Sequence, residues 1–380
     1  MMHTPTIAEL RERERRFTFR HPVVSALVTQ MSFWVVANAL LVMTFVMVLT
    51  AVSIHTPTLR VVPLRVALPA AVLLGISYGL VLGCIDLVLD RNRDPDRAWG
   101  LRILLKAVLY TGTFVVLVSL LFNLARPVYI HYIGDVPPPE AQRWMLGALL
   151  LYATVGNVLV SGFKEVDRSF GPGLMRPLMM GRYRKPQVED RIFMFMDLRG
   201  STTHAETLGH LRYSAMVRDL FQDVNRMVPR FEAEIYQYVG DEVVLTWDLH
   251  DGPEARRCLL LFYAVQDAIH QRASTYEERY GTVPCFKAGV HAGTVTAVEI
   301  GDIKREIAYH GDTINTAARI QSMNNEFGRL LLISERMREL CGDVAPNGLR
   351  TEPLGSILLK GKRDHVTIHA VERTEGPINA

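Results

Sequence analysis

Four apolar runs occupy the first half of the chain, at about residues 31–53, 66–87, 104–124 and 144–163. Each is close to the roughly twenty residues that an α-helix needs to cross a bilayer. In hydrocarbon every backbone N–H and C=O has to be satisfied within the segment, so runs of this kind fold as helices, and a soluble core rarely supplies four in succession. Pro69 and Asp86 interrupt the second run and Asn157 the fourth. The 380 residues are 49% hydrophobic, more than an ordinary soluble protein carries, and leave room for a second domain after the helices.

The basic residues orient the helices. Arg11, Arg13, Arg15, Arg16 and Arg20 precede the first run; Arg91, Arg93, Arg97 and Arg102 lie between the second and third; Lys164, Arg168, Arg176, Arg182, Arg184 and Lys185 follow the fourth. The other two loops hold only Arg60, Arg65, Arg126 and Arg143. Lys and Arg collect on the cytoplasmic side, so both termini are expected inside, and the chain is expected to be a multi-pass protein of the cell inner (plasma) membrane with its second half cytoplasmic. Residues 1–30 form a basic segment that could be read as a nucleic-acid arm. The interleaved Glu12 and Glu14, and a net charge of only +3, favour a juxtamembrane helix that meets anionic membrane lipid, with no nucleic-acid partner. The first apolar run starts late and is long enough to span, which argues against a cleaved signal peptide. Cys84, Cys258, Cys285 and Cys341 have no metal-ligand spacing and read as packing residues.

The expected organisation is a four-helix transmembrane domain at 31–163, a Gly- and Pro-containing linker at 164–190, a soluble domain at 191–372 and a tail at 373–380. In the soluble part an apolar strand at 192–196 precedes an amphipathic helix at 204–227. Strands at 233–239 and 242–247 flank a Gly-Asp turn, which signals a hairpin. A second helix follows from Pro253, then two strands at 286–291 and 294–299 paired about Ala292-Gly293, a third helix at 313–323, and strands at 330–333, 355–359 and 366–371. Hairpins with helices on one face make an α+β sandwich.

Three elements carry chemistry. Asp197 ends the buried strand and Asp241 sits in the Gly-Asp turn, a pairing that suits two hard cations gripping a triphosphate. Taken singly, an Asp after a strand is often only an N-cap or turn residue. Gly200, Ser201 and Thr202 follow Asp197 and open a helix, whose free N–H groups and positive dipole end suit phosphate. Asn315 and Arg319, four apart, share a helix face, so an amide and a guanidinium can act together on a sugar and on a phosphorus gaining charge.

The motifs Phe195-Met-Asp-Leu-Arg-Gly-Ser-Thr202, Tyr238-Val-Gly-Asp-Glu242, Gly311-Asp-Thr-Ile-Asn-Thr-Ala-Ala-Arg319 and Leu359-Lys-Gly-Lys362 resemble the class III nucleotidyl cyclases over about residues 191–372. The resemblance implies a ferredoxin-like palm. It also implies two Mg²⁺ or Mn²⁺ ions per site, held by Asp197 and Asp241 with the carbonyl of Leu198. Asn315 and Arg319 match the family's transition-state pair, and Lys360 or Lys362 its phosphate-binding lysine. Because the family's sites form between two catalytic domains and this chain has one, a homodimer with two sites is implied, and with it an eight-helix membrane bundle. Adenine choice in typical adenylate-forming members rests on a Lys and on an Asp or Thr at positions that here hold Gln237 and Ala308. Gln237 keeps a donor for adenine and the guanylate-forming Glu and Cys are missing, so ATP is the expected substrate and cyclic AMP the product. A guanylate cyclase and a catalytically weak, nucleotide-binding sensor subunit are the alternatives. A diguanylate-forming palm would share the Gly-Asp-Glu turn but leaves the Asn-Arg helix unexplained. A transporter would need intramembrane charges that the four runs mostly lack.

Overall fold

The computed structural model describes residues 22–56, 60–91, 99–134, 138–170, 181–249, 253–303, 305–359 and 365–374. The chain divides into two compact units, residues 1–170 and 171–380. Lys360 and Lys362 lie outside the described residues.

The first unit consists of α1 (Pro22–His55), α2 (Leu64–Arg91), α3 (Trp99–Ile133) and α4 (Pro139–Phe170). Each holds a stretch long and apolar enough to cross a membrane: Val23–His55, Leu64–Leu89, Ile103–Val128 and Pro139–Lys164. The helices run past the apolar stretches because main-chain hydrogen bonding continues through polar residues outside the hydrocarbon. Large apolar side chains such as Leu104, Leu124, Trp144 and Leu159 face outward, as a lipid-facing surface requires, while Trp34, Tyr78, Leu82, Tyr110 and Phe114 fill the middle. Gly75 and Gly79 let α2 lie directly on α1: a Cβ at either would come within 2.5 Å of a Cα, that of Val35 or Met31. Small residues at four-residue spacing permit such backbone contact where no hydrophobic force between helices exists.

The polar residues that interrupt the apolar runs have partners. Asp86 of α2 accepts from Gln30 Nε2 of α1 (3.4 Å), from Lys106 Nζ (2.8 Å) and Tyr110 of α3, and from Lys164 Nζ of α4 (2.5 Å). One carboxylate thereby joins all four helices. Asn157 Oδ1 accepts from Tyr78 at 2.9 Å, and its amide donates to Thr111 at 3.4 Å.

The second unit is built on a mixed sheet whose strands run in the order β2-β3-β1-β4-β6-β8-β7, with β5 paired to β4. These strands are β1 (Gln187–Leu198), β2 (Glu234–Val239), β3 (Glu242–Asp248), β4 (Phe286–Ile300), β5 (Glu306–His310), β6 (Leu331–Ser334), β7 (Leu349–Ile357) and β8 (Val366–Arg373). Between them lie α5 (Ser201–Met227), α6 (Pro253–Gln271), α7 (Ala273–Tyr280), α8 (Asp312–Ser322), the short α9 (Asn324–Phe327) and α10 (Glu335–Cys341).

The period-2 alternation of β1 sorts its side chains between two layers. Ile192, Met194 and Met196 join the main core under α5 and α6, whereas Phe193 and Phe195 join a second core with Tyr309 of β5 and Ala317 of α8. Helices therefore cover both faces of the sheet rather than one. A second expectation also changes. Residues 286–299 form no hairpin about Ala292-Gly293 but one continuous strand, β4, whose far half pairs with β5, an element the hydrophobic pattern concealed. Gly293 is not a turn residue; it stands where Thr313 of α8 presses on the strand, a Cβ there falling 2.7 Å from Thr313 Oγ1.

Candidate active site

β1 and β3 pair antiparallel with Asp197 opposite Glu242, so the β2–β3 turn that carries Asp241 meets the end of β1. Gly240 in that turn has φ 64°, a conformation only glycine enters freely. Gly200 has φ 69° and is the N-cap of α5, with no side-chain capping bond. The sequence pattern begins the amphipathic helix at 204, after Ser201 and Thr202. In the structure both residues lie in the first helical turn, because Gly200 in the left-handed region turns the chain sharply enough to start the helix at once. The N-terminal N–H groups of α5 consequently stand three residues after Asp197.

Asp197 and Asp241 are close enough to repel. Burial first, and then Asp241, holds the Asp197 carboxyl above its ordinary range, although Lys287 and Gln321 pull the other way. Glu242 is pushed up to about 7 by burial, with Asp197 and Asp241 adding to it. The Tyr213 hydroxyl of α5 is held up at about 12, by burial first and then by Asp241, with Asp197 adding to it and Ser201 drawing the other way. Asp197 Oδ2 accepts from Gln321 Nε2 at 3.0 Å and is paired with Lys287 Nζ at 3.3 Å. Asp241 Oδ2 is buried with no hydrogen-bond partner.

A buried carboxylate oxygen without a partner, beside two more carboxyl groups that resist ionisation, fits a divalent cation: one added positive centre offsets both the desolvation and the mutual repulsion. Among the described residues no three His, Cys, Asp or Glu side chains converge as a metal cluster. Glu242 is an electrostatic neighbour of the two aspartates. Leu198, proposed as a carbonyl donor, closes β1 opposite Phe286 with its side chain buried.

The residues predicted to act on the sugar and the phosphorus are not brought to these aspartates. Gln321, on α8, touches Asp197 of its own chain. At about 100° per residue, Arg319 lies some 200° around the helix from Gln321, and Asn315 within about 40° of Arg319. Asn315 is exposed and its amide reaches only Gly311 O of the preceding turn, at 3.4 Å. The Asn315-Arg319 face is turned away from the aspartates of its own chain. Gln237 is exposed on edge strand β2, after a bulge that follows Ile235. Ala308 is buried on β5 opposite Val298, with neighbouring Tyr309 on the other face, against Phe193 and Tyr236.

Lys287, Gln321 and Tyr213 escaped the sequence reading. Lys287 is opposite Asp197 only through strand register, and Gln321 reaches it only through the phase of α8. A Gln two residues after the predicted Arg is a signal too common to single out.

Comparison with known proteins gives a consistent family. The family model described as adenylate and guanylate cyclase catalytic domain matches residues 184–373, half of the 380-residue chain. Adenylate cyclase 2 of Rhizobium meliloti is 34% identical over 221 residues, covering 58% of this chain and 60% of that protein. A receptor-type guanylate cyclase of Drosophila melanogaster is 28% identical over 210 residues, 53% of this chain and 13% of the other. The chain thus spans less than two thirds of the length of either relative. Among solved structures, a bacterial light-regulated adenylyl cyclase aligns with a TM-score of 0.50 at 16% identity, over 58% of this chain and 62% of the other, a likeness of fold.

Proposed function

The chain belongs to the adenylate and guanylate cyclase catalytic domain family, and from that premise we propose that it is a membrane-bound adenylate cyclase, forming 3′,5′-cyclic AMP and pyrophosphate from ATP at sites shared between two copies. The observation that carries the reading is the phase of α8: one face binds this chain's Asp197 through Gln321, and the opposite face presents Asn315 and Arg319. One chain then supplies the aspartate half of a site and the Asn-Arg half of another, which a two-fold homodimer completes twice.

Asp197 and Asp241, with the carbonyl of Leu198, are the residues to hold Mg²⁺ or Mn²⁺, two per site. When bound, such ions lower the pKa of a hydroxyl nucleophile and neutralise phosphate charge. The N–H groups of Gly200, Ser201 and Thr202 at the start of α5 bind phosphate oxygens. Arg319 offsets the charge that grows on the α-phosphorus and its oxygens as the ribose 3′-oxygen attacks, and Asn315 orients the ribose. Lys360 or Lys362 is assigned to the leaving phosphates. Gln237 supports adenine through its amide, which donates and accepts on a purine edge, while Ala308 offers no polar side chain. The relative most similar in identity reported above is named an adenylate cyclase.

The test is direct: the purified chain in Mn²⁺ with ATP should release cyclic AMP and pyrophosphate, and faster than it forms cyclic GMP from GTP. Formation of neither product would remove the reading, and cyclic GMP alone would move it to a guanylate cyclase.

The placement of Arg and Lys supports a multi-pass plasma-membrane protein with the catalytic unit in the cytoplasm, its first segment against anionic lipid. In intact cells an impermeant thiol reagent should modify an Arg60→Cys chain and leave a Lys185→Cys chain unmodified until the membrane is opened. The reverse pattern would invert the topology.

A further inference from the structure

Gln321 is a buried polar side chain, 8% exposed, in the layer between α8 and the sheet. Its backbone has no slack: a Cβ on Gly289 of β4 would lie 2.1 Å from Gln321 N and 2.5 Å from its Cα. The other end of α8 is pinned as well, since Thr313 Oγ1 donates to Thr294 O at 2.8 Å and packs against Gly293. A helix held at both ends, by its backbone at Gln321 and by the Thr313 side chain, carries its side chains as one rigid body. From it Gln321 Nε2 donates to Asp197 Oδ2 at 3.0 Å.

The two partners of Asp197 Oδ2 differ in kind. Lys287 brings a positive charge, shared with Asn325 Oδ1 at 3.4 Å, and so competes with an arriving cation. Gln321 is neutral. It fixes the carboxylate plane without cancelling the charge that a cation needs, and leaves the second oxygen, Oδ1, to be offered. A glutamate in its place would add a further negative charge to Asp197, Asp241 and Glu242.

We propose that Gln321 is a positioning residue for metal binding. Acting through Asp197, it orients the aspartate from the same rigid helix that presents Asn315 and Arg319 on its other side. A single helix thereby sets the metal half-site of its own chain and the Asn-Arg half-site given to a second copy. This inference rests on the reading of Asp197 as a metal ligand. Partners of this kind around a metal site cost about 10- to 100-fold in metal affinity when removed.

The experiment titrates the full chain in detergent with Mn²⁺ alone, following free Mn²⁺ by electron paramagnetic resonance, for the wild type, Gln321→Met, Gln321→Leu and Asp197→Ala. Both Gln321 variants should bind Mn²⁺ at least about tenfold more weakly. Their metal-free unfolding temperatures should stay near that of the wild type, and Asp197→Ala should lose the binding. In turnover, the Mn²⁺ concentration for half-maximal rate should rise by a similar factor while kcat at saturating Mn²⁺ falls far less. Unchanged Mn²⁺ affinity in whichever variant folds overturns the inference alone. Absence of Asp197-dependent Mn²⁺ binding in the wild type overturns the reading of the site, and this inference with it.

Discussion

Chains bearing Asp197→Ala and chains bearing Arg319→Ala are each expected to lose at least about 10²-fold in cyclase rate, and an equal mixture is expected to regain about a quarter of wild-type activity. The single losses follow from chemistry. On the proposed mechanism, cations would lose one of two carboxylate ligands without Asp197, and the charge growing on phosphorus would meet no guanidinium without Arg319. The recovery follows from geometry. If Gln321 keeps Asp197 on one side of α8 while Arg319 faces the other, a mixed dimer has one site made of two intact halves and one made of two defective halves. Random exchange makes about half the dimers mixed, and half the sites in those are intact. The measurement is cyclic AMP formation by separately purified variants after co-incubation, with exchange verified by cross-linking tagged chains. No recovery despite exchange would mean that each site is completed within one chain.

The largest effect on stability is expected at Arg191. Its side chain is 2% exposed and makes ion pairs with Glu189 (2.9 Å), Glu234 (2.8 Å) and Asp248 (2.9 Å), while its guanidinium lies 4.8 Å from the centre of the Tyr309 ring. Burial draws its pKa down, but Glu234, Asp248, Tyr309 and Glu189 outweigh that and hold it well above the ordinary value. Arg191→Met removes the cation that pairs with all three carboxylates, two of them about 10% exposed. Breaking a buried pair from one side costs about 3–5 kcal/mol. For a unit of this size that is a fall on the order of 10 °C in the unfolding temperature. Arg191→Lys should recover only part of it, since one ammonium cannot replace a planar fork facing three acids. Calorimetry of the full chain in detergent, following the transition of the catalytic unit, gives the number, and a shift under about 2 °C would show the cluster to be energetically idle. The same cluster holds the start of β1, because Glu189 also accepts from Arg182 and from buried Tyr183.

Local chemistry was legible where it follows from neighbours along the chain. The four helices could be read from apolar length, the β2–β3 hairpin from Gly240-Asp241, and the common face of Asn315 and Arg319 from a spacing of four. Residues 286–299 were misread because Ala292-Gly293 looks like a turn, although the glycine answers to a helix distant in sequence. The partners of Asp197 and of Arg191 were illegible for a related reason. Lys287, Glu234 and Asp248 meet them across strands, and Gln321 from a helix more than a hundred residues away, so each contact depends on register and helix phase.

The sequence by itself determined that the chain begins with four membrane-length helices, continues into an α+β catalytic unit and carries two aspartates suited to cations. Periodicity, apolar length and turn chemistry are properties of short segments, and a segment states them wherever it is folded. The tertiary structure alone decided that helices cover both faces of the sheet, that Asp241 keeps a buried oxygen without a partner, and that α8 turns Gln321 toward Asp197 and Arg319 away. Those facts depend on how rigid elements pack, which is set by close contact at Gly289 with the Gln321 backbone and at Gly293 with the Thr313 side chain, and not by any stretch of residues read alone.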